Sequence, residues 1–357
     1  MDKHQATAAF LLEQCARWPQ LRPADLLKAL HQSVFGCGHF ITDEEAGLRY
    51  LQQEMRDAAI GPGPWTELLD GGFCRVSLAY LRERGMAPET MFRLLALSAE
   101  TPCGSEEEIS EKLDVLLELS REGRLPFSEE EIAQAVETFR QAGFPACHHS
   151  EAFRAAYAPA YRVIRREYLW VLPLLAAIDR KRRTQPRVIV ALDGGSASGK
   201  TTLAELLERI YGCTVFHMDD FFLRPEQRTE ERYAEPGGNV DRARFADEVL
   251  KPLTEGRQVQ YARFDCQTLS LCPPVEVVPE RLTIVEGAYS MHPALTGAYD
   301  LTAFLRIQPP LQRERILRRN GPEWGEKFFT TWIPLEQHYF EAMDPMGRSD
   351  LILEVEA

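Results

Sequence analysis

The chain has 357 residues, enough for two domains of about 100–200 residues each. Hydrophobic residues make up 45% and charged residues 27%, a composition that can bury substantial cores. The net charge of −13 argues against a general nucleic-acid binder and against binding to an anionic membrane, because both need a basic face. A local basic pocket for phosphate is still compatible with this charge.

The first 18 residues contain an apolar stretch that is too short and too interrupted for a signal peptide or a membrane-spanning helix. No run of 18 apolar residues occurs anywhere in the chain. The eight cysteines are scattered and form no CxxC pair, a pattern typical of reduced thiols. We therefore expect a cytoplasmic protein, and an oligomer is possible.

Residues 1–180 have the pattern of an all-helical domain. Ser105 and Ser128 each precede three glutamates, which predicts N-caps, and Gly123 and Gly143 lie where the corresponding helices should end. No alternating strand pattern is evident in this part. Apolar residues recur at helical spacing in four segments: 10–12, 26–30, 91–97 and 113–117.

Two polar clusters stand out in the helical half. One runs from His31 to Glu45 and includes Cys37 and His39, and the other runs from Cys147 to Glu151. Their side chains are metal-ligand types, but the spacing matches no standard zinc pattern. The favoured interpretation is helix capping by Thr42, Asp43 and Ser150 together with buried neutral histidines. A metal site, a separate enzymatic activity, a second small-molecule pocket, or loops that shape the site of the following domain remain alternatives.

The charged segment 181–186 ends in Pro186 and predicts a linker. After it, residues 187–357 alternate between strand and helix patterns, which predicts an α/β domain with a doubly wound parallel sheet of the P-loop NTPase type. The predicted strands are 188–192, 214–216, 283–285, 303–307 and 351–353. Predicted helices cover 201–210 and stretches near 241–252, 310–319 and 326–343.

Residues 194–201 match the phosphate-loop pattern G-x-x-x-x-G-K-[ST] completely, after an apolar strand and before a helix. Glycines let backbone N–H groups surround a phosphate, and the helix directs its positive end at it. Lys200 can reach the β- and γ-phosphates, and the Thr201 hydroxyl can bind Mg²⁺. The sequence therefore predicts ATP and Mg²⁺ as cofactors. The predicted ATP-binding residues are Gly194, Gly195, Ser196, Ala197, Ser198, Gly199, Lys200, Thr201 and Thr202.

Three acids follow predicted strands of the second half. Asp219 and Asp220 come after the second strand, where a carboxylate can accept the proton of an acceptor hydroxyl. We expect one of them to be a helix N-cap and assign that role to Asp220. Glu286 ends an apolar strand and is predicted to hold Mg²⁺ through water, with a structural hydrogen-bonding role as the alternative.

The predicted helix near 310–319 contains four arginines. Arg315 and Arg318, or Arg315 and Arg319, share a helix face that can clamp a transferring phosphate. A solvated helix face is the alternative. We predict that Arg315 and Arg318 act in catalysis together with Lys200 and Asp219.

The second half resembles the uridine kinase family and its relatives, phosphoribulokinase and pantothenate kinase. The resemblance runs from about Arg187 to Glu354. It implies that Asp219 is the catalytic acid–base group and that Asp241 holds the ribose hydroxyls of the acceptor. It also implies that Glu286 is linked to the metal and that Arg315 and Arg318 belong to a lid over the phosphates. The motifs are GGSASGKTT, MDDFF, Asn239-Val-Asp241, Val259-Gln260 through Phe264-Asp265, Val285-Glu-Gly287 and RILRR.

The chain departs from the family at the positions expected to read the base. Phe264 stands where the family has a tyrosine, and Leu269 falls near its histidine, which should weaken recognition of the base edge. Phe264 and Asp265 are assigned to the acceptor side. The lid at 320–325 is short and glycine-rich and lacks the family's further arginines.

We thus expect an ATP-dependent kinase for a hydroxyl of a small metabolite, with a nucleoside as the first candidate. The alternatives are a kinase for a non-nucleoside alcohol and a nucleotide-dependent switch that regulates the helical half.

Overall fold

The computed structural model describes residues 2–37, 43–100 and 104–356. The chain divides into two compact units, Met1–Leu169 and Trp170–Ala357. The predicted boundary at 181–186 lies one helix later, because helix Leu172–Thr184 packs on the sheet of the second unit. Its apolar face is buried there, and the charged residues at its end form its last turn. None of the helices in the described ranges is long and apolar enough to cross a membrane.

The first unit is mainly helical and also contains a small antiparallel sheet. The strands pair in the order β1-β2-β3. Residues 78–160 separate the second strand from the third, which then pairs with the second. These strands were not predicted from the sequence, because they are short and β2 is buried at four consecutive positions without alternation. The elements are α1 (Lys3–Arg17), α2 (Pro23–Phe35), α3 (Glu44–Asp57), β1 (Thr66–Leu68), β2 (Phe73–Ser77), α4 (Leu78–Glu83), α5 (Pro88–Ala99), α6 (Glu106–Arg121), α7 (Glu129–Gln141), α8 (Glu151–Tyr157) and β3 (Tyr161–Arg165).

The predicted helix signals of the first unit are confirmed. The hydroxyls of Ser105 and Ser128 accept hydrogen bonds from backbone N–H groups three residues later and cap α6 and α7. Gly123 and Gly143 follow these helices with positive φ angles of 67° and 74°. The apolar faces of α1, α2, α6 and α7 pack together into a buried helical core.

The second unit alternates helices and strands and confirms the α/β prediction. All five predicted parallel strands are present, and two short antiparallel strand pairs, one nested inside the other, are additional between 259 and 277. The elements are α9 (Leu172–Thr184), β4 (Val188–Gly194), α10 (Lys200–Tyr211), β5 (Thr214–His217), α11 (Glu230–Ala234), α12 (Arg242–Phe245), a π-helical turn (Ala246–Leu250), α13 (Lys251–Glu255), β6 (Val259–Tyr261), β7 (Phe264–Asp265), β8 (Ser270–Leu271), β9 (Val275–Val277), β10 (Leu282–Glu286), β11 (Leu301–Ile307), α14 (Pro309–Lys327), a second π-helical turn (Phe328–Trp332), α15 (Ile333–Met343) and β12 (Leu351–Val355).

The five long strands form one parallel sheet in the order β12-β11-β4-β10-β5. Strand β4 is central and buried at all seven positions, as expected for a strand covered on both faces. The chain leaves β4 for β5 on one side and later adds β11 on the other. The carboxyl end of β4 is therefore a topological switch point, where ligands bind in open α/β sheets.

Candidate phosphate-transfer site

The loop at the carboxyl end of β4 has backbone angles that its glycines allow. Gly194 has φ 147° and Gly199 has φ 96°, both in the region that disfavours side chains. A Cβ on Gly194 would also lie 2.5 Å from the backbone oxygen of Leu305 in β11. Helix α10 begins at Lys200, so its free N–H groups face the loop. The geometry fits a phosphate cradle made of backbone donors.

Lys200 is buried against the loop that it would serve. Its ammonium group donates to the backbone oxygens of Gly194, at 2.9 Å, and Gly195, at 3.0 Å. These contacts keep the charge of Lys200 at the mouth of the loop, where it can meet phosphate oxygens.

A carboxylate from α15 holds the start of the loop. The backbone N–H of Ser196 donates to both oxygens of Glu336, at 3.0 and 2.9 Å, and the Ser196 hydroxyl donates to it at 2.5 Å. Gln312 in α14 donates to the Ser196 carbonyl at 2.9 Å. Desolvation by burial raises the pKa of Glu336. Two helices of the second unit therefore fix one turn of the loop.

Asp193, the last residue before the loop, is fully buried and joins three elements. It accepts hydrogen bonds from the backbone of Tyr289 at 3.2 Å, from that of Met291 at 2.9 Å, and from the Tyr339 hydroxyl at 2.8 Å. Burial raises the pKa of Asp193. Its contacts fix the phosphate loop against the segment after β10 and against α15.

The predicted metal residues lie together. The Thr201 hydroxyl donates to Glu286 Oε1 at 3.2 Å, and His217 Nδ1 lies 2.6 Å from the same oxygen. This hydrogen bond raises the pKa of His217. Hydroxyl and carboxylate oxygens are the ligands that Mg²⁺ prefers, so Thr201 and Glu286 fit this ion directly or through water.

Asp219 lies in a one-turn 3₁₀ helix after β5, beside these groups. Its side chain reaches solvent, yet the surrounding protein removes enough water to raise the pKa of Asp219. Lys200 lowers this pKa and Glu286 raises it, so both charges act on the same carboxylate. Asp220 is no N-cap, contrary to the prediction: it lies inside the same turn, and its carboxylate accepts from the Tyr261 hydroxyl at 3.4 Å.

The two predicted arginines of α14 have different surroundings. A Cβ on Gly199 would lie 4.0 Å from Arg315 Nη1, so Arg315 is next to the phosphate loop. Its other Nη donates to the Glu356 carbonyl at 3.0 Å. Arg318 is exposed and pairs with Glu314 at 3.7 Å. Helix α14 changes direction at Gly321, where φ is 74°, inside the segment predicted as a lid.

The predicted acceptor residues are engaged in local structure. Asp241 caps α12 through the N–H of Arg244 at 3.1 Å and accepts from Gln227 at 2.8 Å. Phe264 is buried, with the Arg228 guanidinium 5.5 Å from its ring centre. Asp265 accepts from the N–H of Gln267 and from the Thr268 hydroxyl in the β7–β8 turn, and these hydrogen bonds lower its pKa.

Four residues of the site were not assigned by the sequence analysis. Asp193 gives a local signal, since it is a lone acid at the end of an apolar strand directly before the loop. His217 lies beside the predicted base. Glu336 and Gln312 give no signal, because each meets Ser196 across more than 100 residues of chain.

The polar clusters of the first unit serve its fold in the part that the structure describes. Asp43 and Ser150 cap α3 and α8, as predicted. Burial lowers the pKa of His149 to about 4, so this histidine is neutral near pH 7. His39 and Thr42 lie outside the described residues. Within the described residues, no group of three or more histidine, cysteine or acidic side chains is placed to hold a metal ion.

No protein-family profile matches the chain. Over 179 residues it is 30% identical to the bifunctional alpha-galactosidase/sucrose kinase AgaSK of Mediterraneibacter gnavus, a match of 43% of this chain and 19% of the relative. It is 27% identical to a uridine kinase of Chloroflexus aurantiacus over 43% of this chain and 81% of the relative. It is 25% identical to a uridine kinase of Ligilactobacillus salivarius over 48% of this chain and 86% of the relative. The chain thus spans less than a fifth of AgaSK and most of the uridine kinases.

Solved structures with a related chain trace include a possible uridine kinase from Bacillus stearothermophilus, at 22% identity and a TM-score of 0.38, over 48% of this chain and 90% of that one. Another is D-glycerate 3-kinase from Cryptococcus neoformans, at 14% identity and a TM-score of 0.36, over 51% of this chain and 93% of that one.

The central phosphate loop, the parallel sheet and the acids at the carboxyl ends of its strands define the second unit as a P-loop kinase domain, a phosphotransferase class that acts on hydroxyl groups. The relatives that the chain matches at 25–27% identity include uridine kinases of this class.

Proposed function

We propose that the protein transfers the γ-phosphoryl group of ATP to a hydroxyl of a small polyhydroxylated metabolite, with a nucleoside as the first candidate. One observation carries the proposal: Lys200, Asp219, Thr201 and Glu286 converge at the carboxyl edge of the sheet. A phosphate loop alone would bind nucleotide, whereas a carboxylate poised beside it supplies a base for an acceptor hydroxyl.

Each group has a defined task in this transfer. The backbone N–H groups of the loop hold the β-phosphate, and Lys200 offsets negative charge on the β- and γ-phosphates. Asp219 accepts the proton of the attacking hydroxyl. Thr201 and Glu286 would hold Mg²⁺, which would supply positive charge to offset the negative charge of the phosphates. Arg315 supplies a further positive charge next to the loop.

The choice of acceptor rests on the chemistry of the hairpin 264–271. Phe264 carries no hydrogen-bonding group, and the Leu269 side chain is 45% exposed with φ 53°. Neither residue reads the edge of a base through hydrogen bonds. The relatives are named as kinases of uridine and of sucrose, both of which offer sugar hydroxyls. We therefore propose that the sugar hydroxyl, rather than the base, is the main recognition element.

An ADP-release screen of the full chain tests this function. The panel contains nucleosides, mono- and disaccharides, pentose phosphates and pantothenate-like alcohols, with ATP and Mg²⁺ present. We expect at least one compound with a sugar hydroxyl to raise ADP release more than tenfold over the acceptor-free rate. Mass spectrometry of the product then locates the new phosphate ester.

The same screen separates a kinase from a nucleotide-dependent switch. A switch hydrolyses ATP slowly, and no metabolite changes the rate. Uniform slow hydrolysis across the whole panel would contradict the kinase proposal.

A further inference from the structure

The first unit contains a half-open cavity that is lined in part by aromatic rings. It lies between the segment 59–65, the ends of β2 and α4, and the segment 157–161, with a volume of about 230 Å³. That is close to the lower end of the ~300–1,000 Å³ typical of small-molecule sites. All its lining residues belong to the first unit, and none belongs to the phosphate site. Six aromatic rings line it: Trp18, Trp65, Tyr80, Phe153, Tyr157 and Tyr161.

The rings are held in place by one another. Trp65 stacks on Tyr80 with 4.7 Å between ring centres and 21° between planes, while Trp18 meets Tyr157 edge-on at 4.8 Å. Such pairs are stabilising beyond the area that they bury. A Cβ on Gly63 would come within 2.7 Å of the Trp18 ring, so glycine lets this segment close over the indole. The cavity therefore has preformed flat apolar faces.

The floor of the cavity is polar but carries no net charge in its main pair. Arg75 and Glu67 are both buried and form a salt bridge at 2.9 Å. Arg75 also donates twice to Gln32 Oε1, at 2.9 and 2.7 Å, and the Trp18 indole N–H donates to Glu67 at 3.2 Å. Glu83 also lines the cavity, at an exposed position. An uncharged polar ligand can bond to the neutralised floor without a net charge being buried beside it.

A second chain of hydrogen bonds supports the floor from behind. His149 Nδ1 lies 2.7 Å from Asp25, and His149 Nε2 lies 2.6 Å from the Tyr161 hydroxyl. Because His149 is neutral near pH 7, its N–H donates to Asp25 and its other nitrogen accepts from Tyr161. Tyr161 also lies under Arg75, 4.8 Å from the guanidinium carbon. A fully connected network of this kind fixes the orientation of the polar groups at the cavity wall.

We propose that this aromatic cavity is a second binding site, for an uncharged ring-shaped polar metabolite. Such compounds, nucleosides and monosaccharides alike, have a ring face that stacks on aromatic side chains and an edge of hydroxyl or amide groups that bonds to a polar floor. The cavity supplies both surfaces in one place. It lies in the first unit, which contains none of the residues assigned to phosphate transfer.

Isothermal titration calorimetry on the full chain tests the site. The uncharged test compounds are two nucleosides, uridine and adenosine, and two monosaccharides, glucose and galactose. The result therefore tells which of these two classes binds. The charged arm contains choline and benzoate. We expect one neutral compound to bind and Trp65→Ala to weaken its binding at least tenfold. Ala59→Trp places bulk at an exposed position of the rim and should have the same effect if Trp65→Ala fails to fold.

Tyr50→Ala is the matched control, because Tyr50 is an exposed aromatic residue of the first unit outside the cavity. It should bind the ligand like the unchanged protein, and so should Lys200→Ala. Binding of the charged compounds alone, or of none of the panel, would overturn the proposal. The proposal would also be overturned by a neutral ligand whose affinity is unchanged in Trp65→Ala and Ala59→Trp but is lower in Asp241→Ala. Such a ligand would occupy the acceptor site of the kinase domain.

Discussion

The phosphate end and the acceptor end of the kinase domain are built in different ways. At the phosphate end, contiguous backbone from Gly194 to Thr201 makes the site. Two buried carboxylates fix it: Asp193, directly before the loop, and Glu336, from a helix far along the chain. At the acceptor end, the residues assigned by resemblance are already bonded to their own loops, as Asp241 is to the start of α12. Phosphate recognition is therefore a property of a local segment, whereas acceptor recognition depends on how several loops meet. Variants at the phosphate end should therefore lose turnover, whereas variants at the acceptor end should change the KM for the acceptor and the stability of the loops.

The largest effect is expected at Lys200. Lys200→Ala removes the one side-chain ammonium in the loop, and turnover should fall by about 10²–10³-fold or more, the range for losing a preorganised charge. The fold should survive, since the two bonds of Lys200 both go to backbone oxygens of the loop. ADP release and circular dichroism measure the two outcomes.

Lys251→Ala, at an exposed lysine of the same unit, is the control for the loss of a positive charge. Turnover of Lys200→Ala near that of this control would show that the loop does not act on phosphate.

Asp219 should follow closely. Asp219→Asn removes the base, and turnover should fall by about 10²–10⁴-fold. In the unchanged protein the pKa of Asp219 is raised, so the base is lost as pH falls through this raised value, and kcat/KM should drop on the acid side. The variant should lack this acid limb. A pH profile of kcat/KM for both proteins tests the assignment, and an unaltered acid limb in Asp219→Asn would assign it to another group.

Glu286 offers a smaller and more specific test. Glu286→Gln weakens a carboxylate ligand, and the Mg²⁺ concentration for half-maximal activity should rise about tenfold. It also removes a negative charge that raises the pKa of Asp219, so the acid limb should move to lower pH. A metal titration at several pH values measures both changes.

His217→Gln is the matched variant, because His217 shares the Glu286 oxygen that the metal needs. Below the raised pKa of His217, its charge competes for that oxygen, so this variant should need less Mg²⁺ at low pH and the usual amount at high pH. An increased need for Mg²⁺ in His217→Gln would mean that the histidine orients Glu286 for the metal rather than competing with it.

The sequence made much of the phosphate end predictable, since the motif, the strand before it and the helix after it are all local. The inner parallel strands were predictable for the same reason, because strands buried on both faces, such as β4 and β10, are continuous apolar runs. The contact of Glu336 with Ser196 was not, because it joins residues 140 positions apart and leaves no periodic pattern. The small sheet of the first unit was missed because its strands are three to five residues long and β3 pairs with β2 across more than 80 residues.

The smallest expected effect, and the sharpest test of the acceptor end, is at Asp241. Its carboxylate caps α12 and meets Gln227, so Asp241→Ala should lower the free energy of unfolding by about 1 kcal/mol or somewhat more. Asp241→Asn keeps one oxygen for the cap, but its amide nitrogen cannot accept from Gln227, whose own oxygen is held by the Arg224 N–H at 3.0 Å. This variant should therefore lose only part of the stability that the alanine variant loses. If the carboxylate also holds an acceptor hydroxyl, the asparagine variant loses a charged hydrogen bond, and KM for the acceptor should rise about tenfold while KM for ATP stays constant. Denaturant unfolding and steady-state kinetics on both variants separate the two roles. An asparagine variant with unchanged acceptor KM would leave Asp241 as a structural cap, and the acceptor would then have to be held by other residues of the loops around 219–241 and 261–271.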